Sequence, residues 1–439
     1  AHLNGGMAST TPPPATRTDR RYRLSVVKRK KRRKIVVEAA TNQLRPTKYT
    51  VGGAPSVTAD VLRTLAGRPH DATPQYGPAY EAFRGGASGR AACVALDALC
   101  QMGSIETMLG TFIGPLQALA DAQSRVHCSL NLNTETGRLS SRRPNLQNQP
   151  ALEKDQYKIR QAFCAAPGKS LVVADYGQLE LRLLAAITSC ASMLRAFEEG
   201  GDFHSKTAVG MFDYVRAAVE RGDVRLDKTG AGDDDDAVPL VKDRFASERR
   251  KAKTLNFSIA YGKTSHGLAA DWKVSQPEAQ DLLNAWYDDR PEVRKWQQDT
   301  IKRAKEVGYT TTLLGRRREL PDLSDPKRFI RSKGERAAIN TPIQGSAADV
   351  VMLAMLNLRA SRVLADLDWR LLLQIHDEVI LEGPQESAPQ ALAEVKRCME
   401  RPFHRWDDAQ QAFVSSVPVD LAVDLPVDAK SAQTWYEAK

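Results

Sequence analysis

Residues 371–381 read LLLQIHDEVIL. Two apolar runs flank His376-Asp377-Glu378, the pattern of a strand, a tight polar turn and a returning strand. A second stretch has the same character. Residues 170–175 read SLVVAD, a short β-branched run that ends on Asp175 and is followed by a helical pattern over residues 178–187. A carboxylate at a strand end sits on a rigid element facing a cleft, as a metal ligand should. Acidic residues are also common at turns, so neither tip decides anything alone. If the two strands are neighbours, Asp175 and Asp377 form a site for two hard cations bound through oxygen.

Between these strands the patterns are mostly helical, over residues 242–307 and 343–364. Within the first lie residues 249–262, RRKAKTLNFSIAYG, where Arg249, Lys253, Phe257 and Tyr261 recur every four residues on one helical face. Two cations followed by two aromatics suit phosphates at one end and sugar and base at the other. The same spacing fits a solvated basic turn running into a core-facing aromatic stripe. Residues 136–141, TGRLSS, and the following Asn145 and Gln147 form a polar, turn-forming stretch. Arg138, Asn145 and Gln147 can donate there to backbone or groove acceptors. His204 stands alone in GDFH, and Arg336, Asn340 and Gln344 recur every four residues, with Pro342 expected to break their helix.

Further out, residues 57–122 read as a small helical lobe punctuated by Gly85, Gly86 and Gly89, and residues 50–55 as a Gly-rich turn. Residues 28–34, KRKKRRK, are a run of cations suited to a solvated arm or to phosphate contact, and residues 1–20 have a disordered composition. Residues 228–239, KTGAGDDDDAVP, read as a solvated acidic insertion, because like charges favour extension.

The 439 residues exceed one ordinary core, and the net charge of +10 suits a polyanionic partner. Six scattered cysteines form no C-x-x-C pair, against a zinc site or a disulfide framework. No apolar run near the length of a membrane span stands out by eye, so no membrane partner is expected.

Residues 175–182 (DYGQLELR), 249–262 and 376–378 (HDE) resemble, in that order, the three polymerase motifs of the family A DNA polymerases, which include bacterial DNA polymerase I. Stretches such as 133–163, 247–264 and 371–384 are similar to the plant and protist organellar branch. The resemblance covers roughly residues 50–439. It implies an α/β (α+β) right-hand fold, with an antiparallel palm sheet, helical fingers and a helical thumb. The expected divisions are a basic, partly disordered segment (1–49), thumb (50–125), palm (126–190 and 366–439) and fingers (191–365).

The resemblance also implies roles. Asp175 and Asp377, with the Tyr176 carbonyl, hold two Mg²⁺, for which Mn²⁺ can substitute. Arg249, Lys253 and His204 bind the phosphates of the incoming dNTP, and Lys253 is placed to protonate the leaving pyrophosphate. Phe257, Tyr261, Gln178 and Glu180 line the nucleotide pocket, with Glu180 closing it to a 2′-OH. Arg138, Asn145, Gln147, Asn340 and Gln344 touch primer-template DNA, while Arg182, Arg336, His376 and Glu378 support the site. The partners implied are primer-template DNA and dNTPs, and the implied setting is a plastid or mitochondrion. The carboxylates before Arg125 form no Asp-x-Glu motif, so no proofreading exonuclease is expected and the chain looks like a polymerase module cut from a longer precursor. A single-subunit RNA polymerase is the nearest rival, opposed by Glu180. A catalytically silent DNA-binding subunit is the next, opposed by Asp175, Asp377 and Lys253.

Overall fold

Alternation within residues 169–176 sets the architecture. In the computed structural model, which describes residues 44–50, 52–150, 155, 157–226, 238–407 and 412–439, Lys169–Tyr176 is a strand. Side chains of a strand point alternately to its two faces. Val172, Ala174 and Tyr176 enter one core with Val379 and Leu381, under the helices Ser346–Ala360 and Ala388–Glu400. Leu171 and Val173 enter the opposite one with Ile375, Ile380 and Trp435. Burial on both faces explains why this stretch reads as a continuous apolar run.

The sheet has four antiparallel strands in the order Val427–Ala432, Lys169–Tyr176, Glu378–Pro384, Arg370–Ile375. The hairpin expected from residues 371–381 is present, with His376 and Asp377 as its two-residue turn. The first strand in that order was not foreseen, because Val427–Ala432 (VDAKSA) carries too few apolar residues to stand out. A short hairpin, Tyr309–Thr311 with Arg317–Glu319, was also missed. A third core is helical. Phe203, Leu255, Ile259, Leu268 and Trp286 meet there, from helices that include Phe203–Met211, Ala246–Ala260 and Gln276–Asp288.

The chain divides into two compact units, residues 1–106 and 107–439. The described part of the first unit packs helix Ala59–Ala66 beside a two-residue hairpin, around Val61, Leu65, Ala79 and Cys93. Gly89 does not punctuate this lobe. It lies inside helix Gly86–Thr107, where a Cβ would come 2.4 Å from the Tyr80 carbonyl oxygen. One expectation about membranes needs correction. Among the described residues, the helical stretch Gly86–Leu119 is long and apolar enough to cross a bilayer by length and composition, since its few charges are widely spaced.

Pro342 also behaves differently from the expectation. Helix Arg328–Asn340 passes into a π-turn over Thr341–Gly345 and on into helix Ser346–Ala360 without a break. The wider turn absorbs the missing proline N–H. The Thr341 hydroxyl donates to the Ala337 carbonyl and the Ser346 hydroxyl to the Pro342 carbonyl. The basic run 28–34, the composition-biased residues 1–20 and most of the acidic insertion lie outside the described residues.

Candidate active site

Strand pairing places Asp175 opposite Glu378, and the Tyr176 amide donates to the Asp377 carbonyl over 3.3 Å. The two strand tips separated in sequence are therefore neighbours. His376 holds the turn in the left-handed region, φ 53°. The Tyr176 ring is buried, and its hydroxyl donates to the Met399 carbonyl, so this side chain anchors the strand end.

Carboxylates crowd this corner. The Asp377 pKa is pushed up to about 6, first by burial, then by Glu180 and Asp175 against the opposing pull of Arg138 and Lys439. A quarter of the Asp377 side chain (24%) still reaches solvent, so crowding by protein and by like charges, not full enclosure, sets the shift. The Arg138 guanidinium stands 3.9 Å from Asp377. The Lys439 ammonium donates to Asp175 Oδ2 over 2.9 Å and also to Glu378. Glu378 is 3% exposed and accepts from the Trp435 indole over 2.8 Å. It is a buried brace beside the metal candidates.

This donor set fits a hard divalent cation. The Lys439 ammonium already bridges Asp175 and Glu378, and burial together with the neighbouring carboxylates raises the Asp377 pKa, which a bound cation would offset. Among the described residues no group of three or more His, Cys, Asp or Glu is arranged to hold a metal. Mg²⁺ does not need such a cage, because it binds through one or two carboxylates and completes its shell with water and substrate phosphate.

Glu180, on the first turn of helix Leu179–Thr188, is 5% exposed. It accepts from the Tyr261 hydroxyl over 2.5 Å and from Arg138. Burial, then Glu180, hold the Tyr261 phenol well above its ordinary pKa, so it remains a donor. Gln178 caps this helix in the left-handed conformation, φ 56°. Its buried side-chain oxygen has no hydrogen-bond partner, and neither has that of Asn340. Both are buried, unpaired acceptors at candidate ligand positions.

Helix Ala246–Ala260 carries features of both readings of residues 249–262, since Lys253 is exposed while Phe257 packs against the helical core. Ala252, Leu255, Asn256 and Ile259 face the core, while Lys253 is exposed and Phe257 half-buried. Lys253 stands at the surface, Arg249 is half-buried, and Tyr261 is the helix C-cap. Arg249 is held by Asp202, with Nε 2.5 Å from Oδ2 and a terminal nitrogen 3.1 Å from Oδ1. Asp202 also caps helix Phe203–Met211 through the His204 amide. Sequence reasoning missed Asp202, although an Asp just before an apolar run is a cap signal. His204 is 5% exposed. Its pKa is lowered to about 4 by burial foremost, Asp202 opposing, with Arg249 and Lys253 adding to the fall.

The remaining candidates divide. Arg138 joins the central cluster, and so does exposed His376, whose pKa is lowered by desolvation of its ring and then by Arg138. Asn340 and Gln344 are half-buried along the π-turn, and Arg336 is exposed beside Gly262. Three others are occupied with bracing. Asn145 caps the turn Leu146–Asn148, Gln147 (9% exposed) links Ser141 to Gln374, and Arg182 ties Gly177 to Asp424 while stacking on Phe197. Arg316 was not foreseen. It binds the Thr136 and Gly345 carbonyls and Asp349, joining the TGRLSS loop to the π-turn. No local pattern marks it.

Comparison with known proteins agrees with this geometry. The sequence profile of DNA polymerase family A matches residues 90–229 and 238–437, and the gap falls on the acidic insertion. The chain is 52% identical over 436 residues to DNA polymerase I B, chloroplastic/mitochondrial, of Arabidopsis thaliana, covering 89% of this chain and 41% of that protein. It is 55% identical over 370 residues to DNA polymerase I B, mitochondrial, of Oryza sativa subsp. japonica, covering 84% and 35%. Among solved structures, the POL domain of Pol1 from M. smegmatis, in complex with DNA primer-template and dNTP, superposes with a TM-score of 0.69 at 29% identity, covering 90% of this chain and 59% of that one. The chain spans about two-fifths of the length of these plant relatives. With its motifs in order and its strand tips paired, this chain belongs to DNA polymerase family A.

Proposed function

We propose that the chain is a DNA-directed DNA polymerase that adds dNMP from dNTP to a primer 3′-OH, in organellar replication or repair. The observation that carries this reading is the pairing of the Asp175 and Asp377 strand tips beside Glu180. Asp175 and Asp377, with the Tyr176 carbonyl, would hold two Mg²⁺, or Mn²⁺ in their place. Bound there, the ions supply positive charge to the 3′-oxygen and the triphosphate.

The chain's own groups do the rest. Arg249, exposed Lys253 and His204 receive the phosphates, and Lys253 gives the leaving pyrophosphate a proton. Phe257 and Tyr261 face sugar and base, and Gln178 belongs to the same pocket. Glu180, already fixed by Tyr261 and Arg138, excludes a 2′-OH without having to move. Arg138, Asn340 and Gln344 read the minor groove of primer-template DNA. Asn145, Gln147, Arg182, Arg336, His376 and Glu378 shape the surrounding loops. The hand divides into thumb (50–125), palm (126–190 and 366–439) and fingers (191–365), after a basic segment (1–49).

The plant relatives' names support the organellar setting, and the M. smegmatis complex supports the substrates. Primer extension with Mg²⁺ and either dNTPs or NTPs tests the reading. Template-dependent extension with dNTPs is expected. Tight primer-template binding without extension would sink it, and equal use of NTPs would move the chain to RNA synthesis.

A further inference from the structure

Asn256 sits on the inward face of helix Ala246–Ala260 and has no solvent exposure, 0%. Its side-chain amide meets three buried groups. The Trp286 indole Nε1 lies 2.8 Å from Oδ1. Nδ2 lies 3.0 Å from the Thr207 hydroxyl and 3.0 Å from His204 Nδ1. An indole N–H only donates, so the amide atom facing Trp286 is the oxygen. The amide nitrogen therefore faces Thr207 and His204.

Thr207 agrees with that orientation. Its hydroxyl donates to the Phe203 carbonyl over 2.9 Å, closer than its 3.4 Å contact with Asn256 Oδ1. Its lone pairs are then free to accept from Asn256 and, over 3.3 Å, from Arg290. Trp286 and Arg290 are partners of fixed polarity, so the amide orientation follows from its surroundings. A donor NH₂ facing His204 Nδ1 requires a lone pair on that nitrogen.

We propose that Asn256 is a positioning residue that holds His204 as the neutral Nε2–H tautomer, so that the ring presents a donor to a triphosphate oxygen. The inference rests on the reading of His204 as a phosphate contact. The lowered pKa of the ring, with Asp202, Arg249 and Lys253 as its charged neighbours, is consistent with a neutral imidazole. Trp286 acts one step further back, by fixing the amide that fixes the ring.

The test is the nitrogen NMR spectrum of ¹⁵N-histidine-labelled full chain at pH 8.5, with His204→Gln identifying the signal. The wild type should show a bare Nδ1 and a protonated Nε2. Asn256→Asp replaces the donor with an acceptor and should move a proton to Nδ1. Because a buried carboxylate can unfold the protein, Trp286→Phe is the second variant. Without the indole the amide can turn over, and the His204 signals should shift towards a mixture of tautomers. A protonated Nδ1 in the wild type, or a spectrum unchanged in every folded variant, overturns the proposal. Where Asn256→Asp leaves the ring neutral with Nε2 bare, KM for dNTP should rise about tenfold with kcat little changed. If His204→Gln itself leaves KM unaltered, the phosphate-contact reading fails while the tautomer assignment stands.

Discussion

The sheet corner and the basic–aromatic helix handle charge in opposite ways. The corner gathers Asp175, Asp377 and Glu378 at paired strand ends, with Glu180 on the helix that follows, and borrows Lys439 and Arg138 as counter-ions. The helix gathers Arg249 and Lys253 along one face, where Lys253 is exposed and half-buried Arg249 is pinned by Asp202. Each region shields its charge with a group of the chain itself. The difference lies in rigidity. The proposed metal-holding carboxylates sit at strand ends in a sheet buried on both faces, whereas the cations proposed to meet a triphosphate are long side chains on a helix.

The comparison can be broken most severely at the corner. Asp175→Ala and Asp377→Ala should each reduce primer extension by roughly 10³-fold or more while primer-template binding, carried by distributed Lys and Arg contacts, survives. Gel-shift and extension assays on the same preparations check this, and retained extension in either variant removes the two-metal assignment.

On the helix side, Phe257→Tyr places a hydroxyl where the 3′-OH of a dNTP would lie. Use of dideoxynucleotides relative to dNTPs should rise by roughly 10²-fold, because a site that relies on a substrate hydroxyl rejects analogues lacking it. Unchanged termination frequencies in competition would mean that Phe257 does not face the sugar. Where the two regions meet, Glu180→Ala should lower the ratio of kcat/KM for dNTP over NTP by roughly 10–100-fold. An intact ratio would confine Glu180 to holding Tyr261 and Arg138.

The smallest effect sharpens the charge argument. With a folded pKa of about 6 against an ordinary 3.8, Asp377 binds its proton more tightly when the protein is folded. The stability this contributes is complete below about pH 4 and is lost as pH rises through about 6. In EDTA at pH 7.5, Asp377→Asn should therefore raise Tm by roughly 2–4 °C. The advantage should shrink as pH falls through that window, and a constant advantage from pH 4 to 7.5 would show that the Asp377 charge is not the cause.

Both strand tips were legible in the sequence because apolar runs of the right length end on Asp175 and Asp377. Their adjacency was not, since strand order is a non-local property. The strand Val427–Ala432 escaped because it is an edge strand with alternating polar residues. The face of residues 249–262 was visible as a spacing, but only the packing of Leu255, Asn256 and Ile259 shows which side is inside. Arg138, Glu180 and Tyr261 were each singled out, whereas their mutual contacts depend on three segments meeting. Asn145 and Gln147 read as free donors and proved occupied, because loop residues satisfy the loop's own backbone first. Asp202, Asn256 and Arg316 carry no pattern of their own beyond a cap signal. Their roles are defined by partners distant in sequence.

The register that sets Asp175 opposite Glu378 also bears on how the molecule is born. The two strands are separated by roughly 200 residues, so a large loop must close before their pairing returns any free energy. During synthesis the Asp175 strand waits, apolar on both faces, until its neighbour has been made. A nascent chain that ends before the hairpin lacks the corner where Asp175 meets Glu378, and under the proposed function it should be inactive. It also carries an unpaired β-branched edge, the kind of segment that aggregates and calls for a chaperone.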